Sequence, residues 1–223
     1  MIHIITGHSE NLNRMTDLTH PFLRKYADKH NFKLTIHEIP TDYQTTHRPY
    51  SWFKVNSILN SFENTNDDFV VWVDADTLII NQDFELQSLI VPDKHFYVSR
   101  DFNDLNCGIM MWANNDYSKE ILNKVWSMTE YVNHYWWEQA AIIDLYSKNY
   151  NLLKKYTQIV PQNILNAYEY RAMSVANIII DEQWDKGQVT EESWILHMPS
   201  LGMPQRLSLI KDCIDFYKLE TIQ

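Results

Sequence analysis

Two aspartates separated by a single residue follow an apolar segment in the first third of the chain. The segment Phe69–Val73 is apolar throughout and is followed directly by Asp74-Ala75-Asp76. A short apolar run of this kind is typical of a buried β-strand, in which residues i and i+2 point to the same face. If the strand continues, both carboxylates face one point; if the backbone turns after Asp74, they converge at the carboxyl edge of the sheet, where open α/β sheets bind ligands. Either arrangement favours a hard divalent cation such as Mg²⁺ or Mn²⁺, and the alternative is a solvated turn.

Size and charge narrow the classes of protein to which this chain can belong. With 223 residues it can bury a full core, and we expect one domain. Its 19 Lys and Arg against 29 Asp and Glu give a formal net charge of -10, which argues against a nucleic acid or an anionic membrane as partner. An anionic small molecule is compatible with this charge if a metal ion supplies the positive charge.

Cysteine content and the amino-terminal residues bear on the compartment. Only two cysteines occur, Cys107 and Cys213, so no disulfide framework is expected and a reducing compartment is favoured. The first residues read as a strand followed by polar turn residues, and no signal peptide or transmembrane segment is recognisable. These features together predict a cytoplasmic protein.

The first third of the chain alternates strands with helices. The predicted elements are strand Ile2–Thr6, helix Asn13–Lys29 with Pro21 as a candidate break or kink, strand Lys33–Glu38, a helix with Ser51 as a candidate cap, and strand Phe69–Val73. This alternation, with an apolar third strand, is typical of a parallel sheet covered by helices. We therefore predict an α/β protein with a mostly parallel, twisted sheet.

The rest of the chain follows a less regular pattern. We predict a strand near His95–Ser99, a polar loop Asp101–Asn106, a strand Gly108–Trp112, helices near Asp116–Glu130 and Trp137–Ser147, short strands at Ile178–Ile180 and Trp194–His197, and a last helix from Gln205 to Leu219. No repeat, low-complexity tract or linker interrupts this series. Residues 1–223 are therefore expected to form a single domain.

Four short stretches, taken in order, resemble a known family. They are Trp52-Phe53-Lys54, Asp74-Ala75-Asp76, Asn106-Cys107-Gly108-Ile109 and Trp137-Glu138-Gln139-Ala140. Their order and spacing are similar to those of GT-A type glycosyltransferases, nearest to the α-galactosyl, mannosyl and xyloglucan xylosyltransferase group and more remotely to glycogenin and the bacterial lipooligosaccharide galactosyltransferases. The resemblance implies a GT-A catalytic domain that moves a hexose or pentose from a nucleotide-sugar, expected to be a UDP-sugar, to a glycan or another hydroxyl acceptor. It also implies Mn²⁺ or Mg²⁺ as cofactor and retention of the anomeric configuration.

The same resemblance assigns the metal ligands. Asp74 and Asp76 match the family's Asp-x-Asp, in which the second carboxylate binds the ion directly and the first contacts the ribose or shares the ion. His197, at the end of a predicted strand, matches the late metal-ligand histidine of the retaining members. A cation at this point holds the diphosphate of the donor and stabilises the charge that develops there as the sugar leaves.

Other positions resemble those that bind the nucleotide and its phosphates. Thr6 and Gly7 end the first strand, where this fold meets the base and ribose. Lys54 resembles a Lys or Arg that reaches the sugar-nucleotide, although a solvated helix lysine fits the pattern as well. Gly202 and Arg206 match the phosphate-binding turn after the histidine loosely, because the usual lysine is absent. Arg206 either replaces that lysine or is a surface residue.

The donor sugar is assigned to the stretch around the second strand after the acidic pair. Asn106 and Gly108 resemble the Asn-x-Gly of the donor-sugar pocket, where an amide binds hydroxyls and glycine lets the backbone approach closely. Asp101, in the predicted polar loop before them, is a further candidate to bind donor hydroxyls.

Glu138 and Gln139 occupy the position of the acidic residue and glutamine that face the anomeric carbon in the relatives. Glu138 is expected to hold sugar or acceptor hydroxyls, and Gln139 to lie opposite the leaving diphosphate and assist the sugar through its carbonyl. The pair contains no assured nucleophile, which favours front-face substitution with the leaving phosphate accepting the proton. The adjacent aromatic run His134–Trp137 is a candidate to stack an acceptor sugar, with at least one of its two tryptophans expected in the core.

The residues leave other interpretations open. A haloacid-dehalogenase-like phosphohydrolase also uses an Asp-x-Asp motif, with a nucleophilic first aspartate, but there the motif normally lies on the first strand and needs a later acidic pair. An inverting glycosyltransferase would require a general base, for which Asp101, Asp104 and Glu138 are candidates. A non-catalytic sugar-binding module would have a degraded metal site, whereas the three candidate ligands are all present.

Overall fold

Eight strands and eight α-helices occur in the described part of the chain, residues 1–43, 48–173 and 180–220 of the computed structural model. The strands are β1 (Ile2–His8), β2 (Lys33–Glu38), β3 (Phe69–Val73), β4 (Thr77–Ile79), β5 (Phe96–Asp101), β6 (Asp104–Ala113), β7 (Thr157–Val160) and β8 (Ile195–His197). The helices are α1 (Asn13–Lys29), α2 (Phe53–Asn64), α3 (Asp116–Ser127), α4 (Trp137–Ser147), α5 (Leu153–Tyr156), α6 (Gln162–Leu165), α7 (Asp181–Gly187) and α8 (Met203–Phe216). Residues 178 and 179 of the strand predicted at 178–180 lie outside the described residues, and Ile180 directly precedes α7.

Six of these strands form one sheet in the order β2-β1-β3-β6-β5-β7. β1 pairs in parallel with β2 and β3, and β5 pairs in parallel with β7. β6 runs antiparallel to both its neighbours, β3 and β5. The predicted mostly parallel sheet is thereby confirmed, and the reversed strand brings the start of β6 to the edge at which β3 and β5 end.

Hydrophobic residues pack on both faces of this sheet because successive residues of a strand point to opposite sides. Val71 and Val73 belong to one cluster with buried residues of α1 and α8, whereas Val70 and Trp72 belong to a second cluster with buried residues of α2, α3 and α4. β3 is therefore covered on both faces, which is why its sequence is continuously apolar. Its burial determines where the acidic pair emerges.

The connection between β5 and β6 is shorter than predicted. Asp101 lies directly opposite Asp104 in the β5–β6 pair, so only residues 102 and 103 form the turn. The predicted polar loop Asp101–Asn106 is therefore wrong. Polar residues are tolerated at these strand ends because their side chains hydrogen-bond to one another, and a periodic apolar pattern is not needed to keep them in the sheet.

Two helix predictions are also corrected. Residues Tyr50–Trp52 form a 3₁₀ turn that leads directly into α2, so Ser51 lies within the turn and does not cap the helix. α1 continues through Pro21 as one helix. Proline removes one backbone hydrogen bond, but residues on both sides of Pro21 are buried in the core, and this packing keeps the two halves together.

β4 and β8 form a separate two-stranded antiparallel sheet in which Thr77 is paired with His197. The strand predicted to end at His197 is confirmed. β4 and β7 have no counterpart among the predicted strands, because segments of three and four residues are too short to show a period. Within the described ranges, no helix combines the length and the apolarity that crossing a membrane requires.

Candidate functional site

A cavity of about 820 Å³ lies at the edge of the main sheet where β1, β3 and β5 end and β6 begins. Residues of these four strand ends line it together with the start of α4 and the segment after β8. The predicted site residues on its wall are Gly7, Lys54, Asp74, Asp76, Asp101, Asn106, Gly108, Glu138, Gln139, His197 and Arg206. Distant parts of the sequence meet here because the parallel strands and the reversed β6 share one edge.

The backbone turns directly after Asp74, which decides between the two arrangements predicted for the acidic pair. The Thr77 hydroxyl donates to the Asp74 carbonyl at 2.8 Å, and the Asp74 amide donates to the Gly108 carbonyl at 2.8 Å. Asp74 and Asp76 are joined there by His197: one potential ligand atom from each of the three lies within 4.8 Å of the others. The predicted convergence of these three residues is thus present in the fold.

His197 reaches the acidic pair through the small sheet. It pairs with Thr77 across β4 and β8, and the next amide, that of Met198, donates to the Asp76 carbonyl at 2.9 Å. The ring packs flat against the backbone of β6: a Cβ atom on Gly108 would overlap with its Cε1 and lie 2.8 Å from its Nδ1. Glycine at position 108 is therefore required by the histidine.

Asp76 is held by two cationic or potentially cationic partners. His197 Nε2 lies 3.4 Å from Asp76 Oδ1, and Arg206 Nη2 donates to Asp76 Oδ2 at 2.6 Å. Burial alone would raise the pKa of Asp76, but His197 and Arg206 outweigh it and keep the pKa below its ordinary value. Arg206 is also anchored by its Nε, which donates to the Met198 carbonyl at 3.1 Å. Arg206 is thus held on the cavity wall with its side chain only 17% exposed, which excludes the alternative of a surface residue, and its replacement of the phosphate-binding lysine stays a prediction.

The chemistry of the three side chains fits a divalent metal ion. Carboxylate oxygens suit Mg²⁺ and Mn²⁺, and an imidazole nitrogen shifts the preference towards a transition ion such as Mn²⁺. His197 Nδ1 is engaged with Asn166 Oδ1 at 2.6 Å, which leaves Nε2 as the nitrogen available on the side of Asp76. These residues could hold the metal that the sequence predicts.

Lys54 is a buried lysine that joins two carboxylates. Its Nζ lies 2.9 Å from Asp74 Oδ1 and 3.1 Å from Glu138 Oε1, and it donates to the Cys107 carbonyl at 3.0 Å. Burial alone would lower the pKa of Lys54, but the two carboxylates outweigh it and hold the pKa above its ordinary value. The alternative of a solvated helix lysine is wrong, since the side chain is only 5% exposed.

Glu138 and Gln139 line the cavity, and the Oε1 atom of each has a polar partner. Burial and the negative charge of Asp74 raise the pKa of Glu138 to about 7, although its pairing with Lys54 lowers the pKa. Gln139 Oε1 accepts a hydrogen bond from the Cys107 amide at 3.0 Å. The carbonyl expected to assist the sugar is thus already used for one hydrogen bond, whereas the amide nitrogen has no hydrogen-bond partner within the described part of the chain.

Asp101 and Asn106 are brought together as one unit. Asn106 Nδ2 donates to Asp101 Oδ2 at 2.9 Å, and Asn106 Oδ1 accepts from the Gly108 amide at 2.9 Å. The Asn103 amide donates to the second oxygen, Asp101 Oδ1, at 2.6 Å. These bonds hold both side chains in fixed positions on the cavity wall.

Two predicted residues do not line the cavity. Thr6 is buried within β1, and the wall is formed by the following Gly7, His8 and Ser9. Gly202 precedes α8, and its amide donates to Gln205 Oε1 at 2.9 Å. Neighbouring residues of the same segment, among them Ser200 and Leu201, form the wall instead.

Aromatic side chains lie on the cavity wall where core residues were expected. Tyr135 is 83% exposed, Trp137 is 40% exposed, and Phe102 is 36% exposed; all three line the cavity, as does the partly exposed Trp136. The expectation that one of the two tryptophans is a core residue is therefore wrong. Trp137 has a φ of 45°, a left-handed conformation that is rare for a bulky residue. Strain of this kind is concentrated at binding and catalytic sites.

Sequence reasoning missed three residues that support the site. Trp72 Nε1 donates to Asp74 Oδ1 at 2.5 Å, Asn166 contacts His197, and Tyr168 donates to Asp101 Oδ2 at 2.7 Å. Trp72 reads as a core residue of β3. Asn166 and Tyr168 lie between short elements without a period, so no local pattern indicates where they point.

The chain is similar to known glycosyltransferases in sequence. The model of the galactosyl transferase GMA12/MNN10 family matches residues 22–94 and 91–189. The uncharacterized alpha-1,2-galactosyltransferase C1289.13c of Schizosaccharomyces pombe is 25% identical over 186 residues, which cover 66% of this chain and 48% of that protein. The probable alpha-1,6-mannosyltransferase MNN10 of Saccharomyces cerevisiae is 24% identical over 186 residues, which cover 68% of this chain and 47% of that protein. The chain spans about half the length of these curated relatives.

A solved structure extends the likeness to nearly the whole chain. A glycosyltransferase involved in the glycosylation of the major capsid of PBCV-1 matches with a TM-score of 0.71 and 15% identity, over 95% of this chain and 98% of that chain. Identity at this level shows the fold alone, which is that of the GT-A glycosyltransferases, as the resemblance predicted. Since the family model covers well over half of the chain, the chain belongs to the galactosyl transferase GMA12/MNN10 family.

Proposed function

We propose that residues 1–223 form one glycosyltransferase catalytic domain that uses a divalent metal ion. It transfers a hexose or pentose from a nucleotide-sugar, a UDP-sugar in our proposal, to a glycan or another hydroxyl-bearing acceptor. The observation that carries the proposal is the convergence of Asp74, Asp76, His197 and Arg206 on one cavity. The phosphohydrolase alternative loses its basis, because the family and fold are those of glycosyltransferases and Asp74 is held by Lys54 and Trp72.

The metal ion and Arg206 are both assigned to the diphosphate of the donor. Asp74, Asp76 and His197 are the residues that would hold the ion, which when bound supplies positive charge beside the leaving diphosphate. Arg206 adds a second positive charge, and its planar guanidinium can bind two phosphate oxygens at once. Lys54 is too deeply buried to share this role, and we assign it to holding Asp74 in place.

The nucleoside and the sugar of the donor are assigned to different parts of the wall. Gly7 and the following His8, at the end of β1, line the cavity, and we assign them to the nucleoside. Asp101 and Asn106, which are already fixed by their mutual hydrogen bond, are assigned to the sugar hydroxyls together with the free amide nitrogen of Gln139.

We favour retention over inversion because each candidate base is bonded to other residues, buried, or outside the cavity. Asp101 accepts hydrogen bonds from Asn106 and Tyr168. Glu138 Oε1 is paired with Lys54, and Glu138 Oε2 is buried without a hydrogen-bond partner among the described residues. Asp104 pairs with Arg100 and is not on the cavity wall. An inverting reaction needs a carboxylate that is free to accept the proton of the acceptor, whereas front-face substitution leaves that task to the departing phosphate.

The exposed aromatic residues are proposed to bind the acceptor. The flat faces of Tyr135, Trp136 and Trp137 are apolar and carry polar edges, which suits a sugar ring that presents both C–H and O–H groups. An exposed aromatic group beside a cavity is typical of a binding surface. Their position supports an acceptor that ends in a sugar.

The proposal is tested by screening nucleotide-sugars with Mn²⁺ or Mg²⁺ and measuring the release of nucleoside diphosphate with and without glycan acceptors. The Asp76→Asn variant should lose most of the metal-dependent release, since it removes a charged metal ligand. Asp83→Asn, at an exposed aspartate outside the cavity, is the matched control and should behave as wild type. Tight UDP-sugar binding that a chelator leaves unchanged would contradict the metal site, and an inverted anomeric centre in the NMR spectrum of the first product would contradict retention.

A further inference from the structure

Five polar side chains form a hydrogen-bonded chain behind the candidate metal ligand His197. The chain runs from His197 through Asn166 and Tyr168 to Asp101 and Asn106. Asn166 is fully buried, Tyr168 is 1% exposed and His197 is 4% exposed. Because buried polar groups need partners, the direction of each hydrogen bond in this chain restricts the next.

The direction can be followed from Asp101. Its ionised carboxylate can only accept, so the Tyr168 hydroxyl donates its hydrogen to Asp101 Oδ2 at 2.7 Å. The oxygen of Tyr168 is then left as an acceptor, and it accepts from Asn106 Nδ2 at 2.8 Å and from Asn166 Nδ2 at 3.3 Å. The amide nitrogen of Asn166 therefore faces Tyr168, and its amide oxygen faces His197.

An amide oxygen cannot donate, so the hydrogen of the last bond belongs to the histidine. His197 Nδ1 donates to Asn166 Oδ1 at 2.6 Å, and in the neutral ring Nε2 carries the lone pair. Nε2 is the nitrogen that lies 3.4 Å from Asp76. The other side of the ring rests on Gly108, whose amide is bound by Asn106 at the far end of the same network.

We propose that Asn166 is a positioning residue that, with Tyr168, fixes His197 in the tautomer able to bind a metal ion through Nε2 and links this ligand to Asp101 and Asn106. The link rests on the proposed function, in which Asp101 and Asn106 bind the donor sugar. Side chains that orient a metal-binding histidine commonly affect metal affinity by 10- to 100-fold. Asn166 acts in this way without touching the substrate.

The test measures Mn²⁺ affinity and the ring tautomer in the absence of any sugar-nucleotide. Asn166→Ala should weaken Mn²⁺ binding by roughly 10- to 100-fold. Asn166→Asp keeps an oxygen opposite Nδ1 and should restore most of the affinity. Long-range ¹H–¹⁵N correlation spectra of the metal-free protein should show His197 protonated at Nδ1 in the wild type, and a mixture of tautomers in Asn166→Ala. Asn114→Ala is the control for loss of a partly buried amide, because Asn114 Nδ2 donates to the Asp67 carbonyl outside the cavity.

The outcomes separate this inference from the proposed function. Three results would overturn it. The first is a folded Asn166→Ala protein that binds Mn²⁺ as tightly as the wild type. The second is a wild-type His197 protonated at Nε2, and the third is a wild-type protein that binds no Mn²⁺. If Asn166→Ala does not fold, the wild-type tautomer and the affinity of Asn166→Asp decide in the same way. A wild type with the expected tautomer and Mn²⁺ affinity, but without turnover of any nucleotide-sugar, would contradict the proposed function and leave the role of Asn166 standing.

Discussion

Gly108 has no room for a side chain because the ring of His197 lies against its backbone. The ring is held on its other side by Asn166, so it cannot move away without losing a buried hydrogen bond. Glycine at this position thus makes room for the candidate metal ligand His197. Its closeness to Asn106, which we propose to bind the donor sugar, follows from the same geometry.

Replacing Gly108 by alanine should displace His197. We expect a loss of about 1–3 kcal/mol in the free energy of unfolding, the usual cost of overpacking, together with weaker Mn²⁺ binding. Urea denaturation and Mn²⁺ titration measure the two effects. Gly202→Ala is the matched control, because a Cβ atom there would lie 3.1 Å from the end of the flexible Gln205 side chain and at ordinary contact distance, 3.9 Å, from Pro204 Cδ. Equal Mn²⁺ affinity in Gly108→Ala and Gly202→Ala would refute this role of Gly108.

At the scale of elements, Lys54 connects three of them. It extends from α2 and pairs with Asp74 at the end of β3 and with Glu138 in α4. A buried charge that loses its partner is far more costly than an exposed one. The position of α4 relative to the acidic pair thus depends on one side chain.

Lys54→Met should therefore destabilise the fold strongly. Removing the lysine leaves two neighbouring carboxylates without a counter-ion, and breaking a buried ion pair in this way costs about 3–5 kcal/mol. The free energy of unfolding, measured in urea at neutral pH, checks the value. Lys148→Met removes a lysine from the exposed pair with Asp144 and should leave stability unchanged. If both variants are equally stable, the buried pairs of Lys54 do not hold these elements together.

The elements that the sequence predicted correctly are those with a long or continuous apolar pattern. The bounds of β2, β3 and α4 match their predictions, and the carboxyl edge of the sheet follows from their alternation. The site residues on this edge, such as Asp76, could be predicted for the same reason. The contacts of Asn166 and Tyr168 could not be predicted, since the orientation of these side chains depends on how short, irregular segments pack against distant strands. The exposure of Trp137 could not be predicted either, because no periodic pattern in the sequence indicates its backbone conformation.

At the scale of the whole molecule, the buried His3 and the half-buried His20 make stability depend on pH. Burial lowers the pKa of His3 to about 4 and that of His20 to about 4, from 6.5 when unfolded. Between pH 4 and pH 6.5 these histidines bind protons in the unfolded chain but not in the folded protein. Their contribution to the free energy of unfolding is therefore complete above pH 6.5 and is lost as the pH falls towards 4. Each histidine contributes at most about 3 kcal/mol to this loss.

His3→Gln should reduce the loss of stability on acidification. The variant removes one titrating group while keeping a polar side chain opposite Thr35, to which His3 Nε2 is hydrogen-bonded. When the free energy of unfolding is measured from pH 7.5 to pH 4, it should fall less in the variant than in the wild type. A difference that is constant over this range would show that His3 titrates alike in both states.

The pairing of β4 with β8 has a consequence for how the molecule is assembled. Asp76 and His197 are separated by about 120 residues of chain. A ligand that joins them closes a loop of that length and removes conformational entropy from the unfolded chain, as a reversible cross-link does. During synthesis this cross-link is unavailable until β8 has been made, about 120 residues after Asp76. The candidate metal-binding residues therefore come together only when β8 pairs with β4.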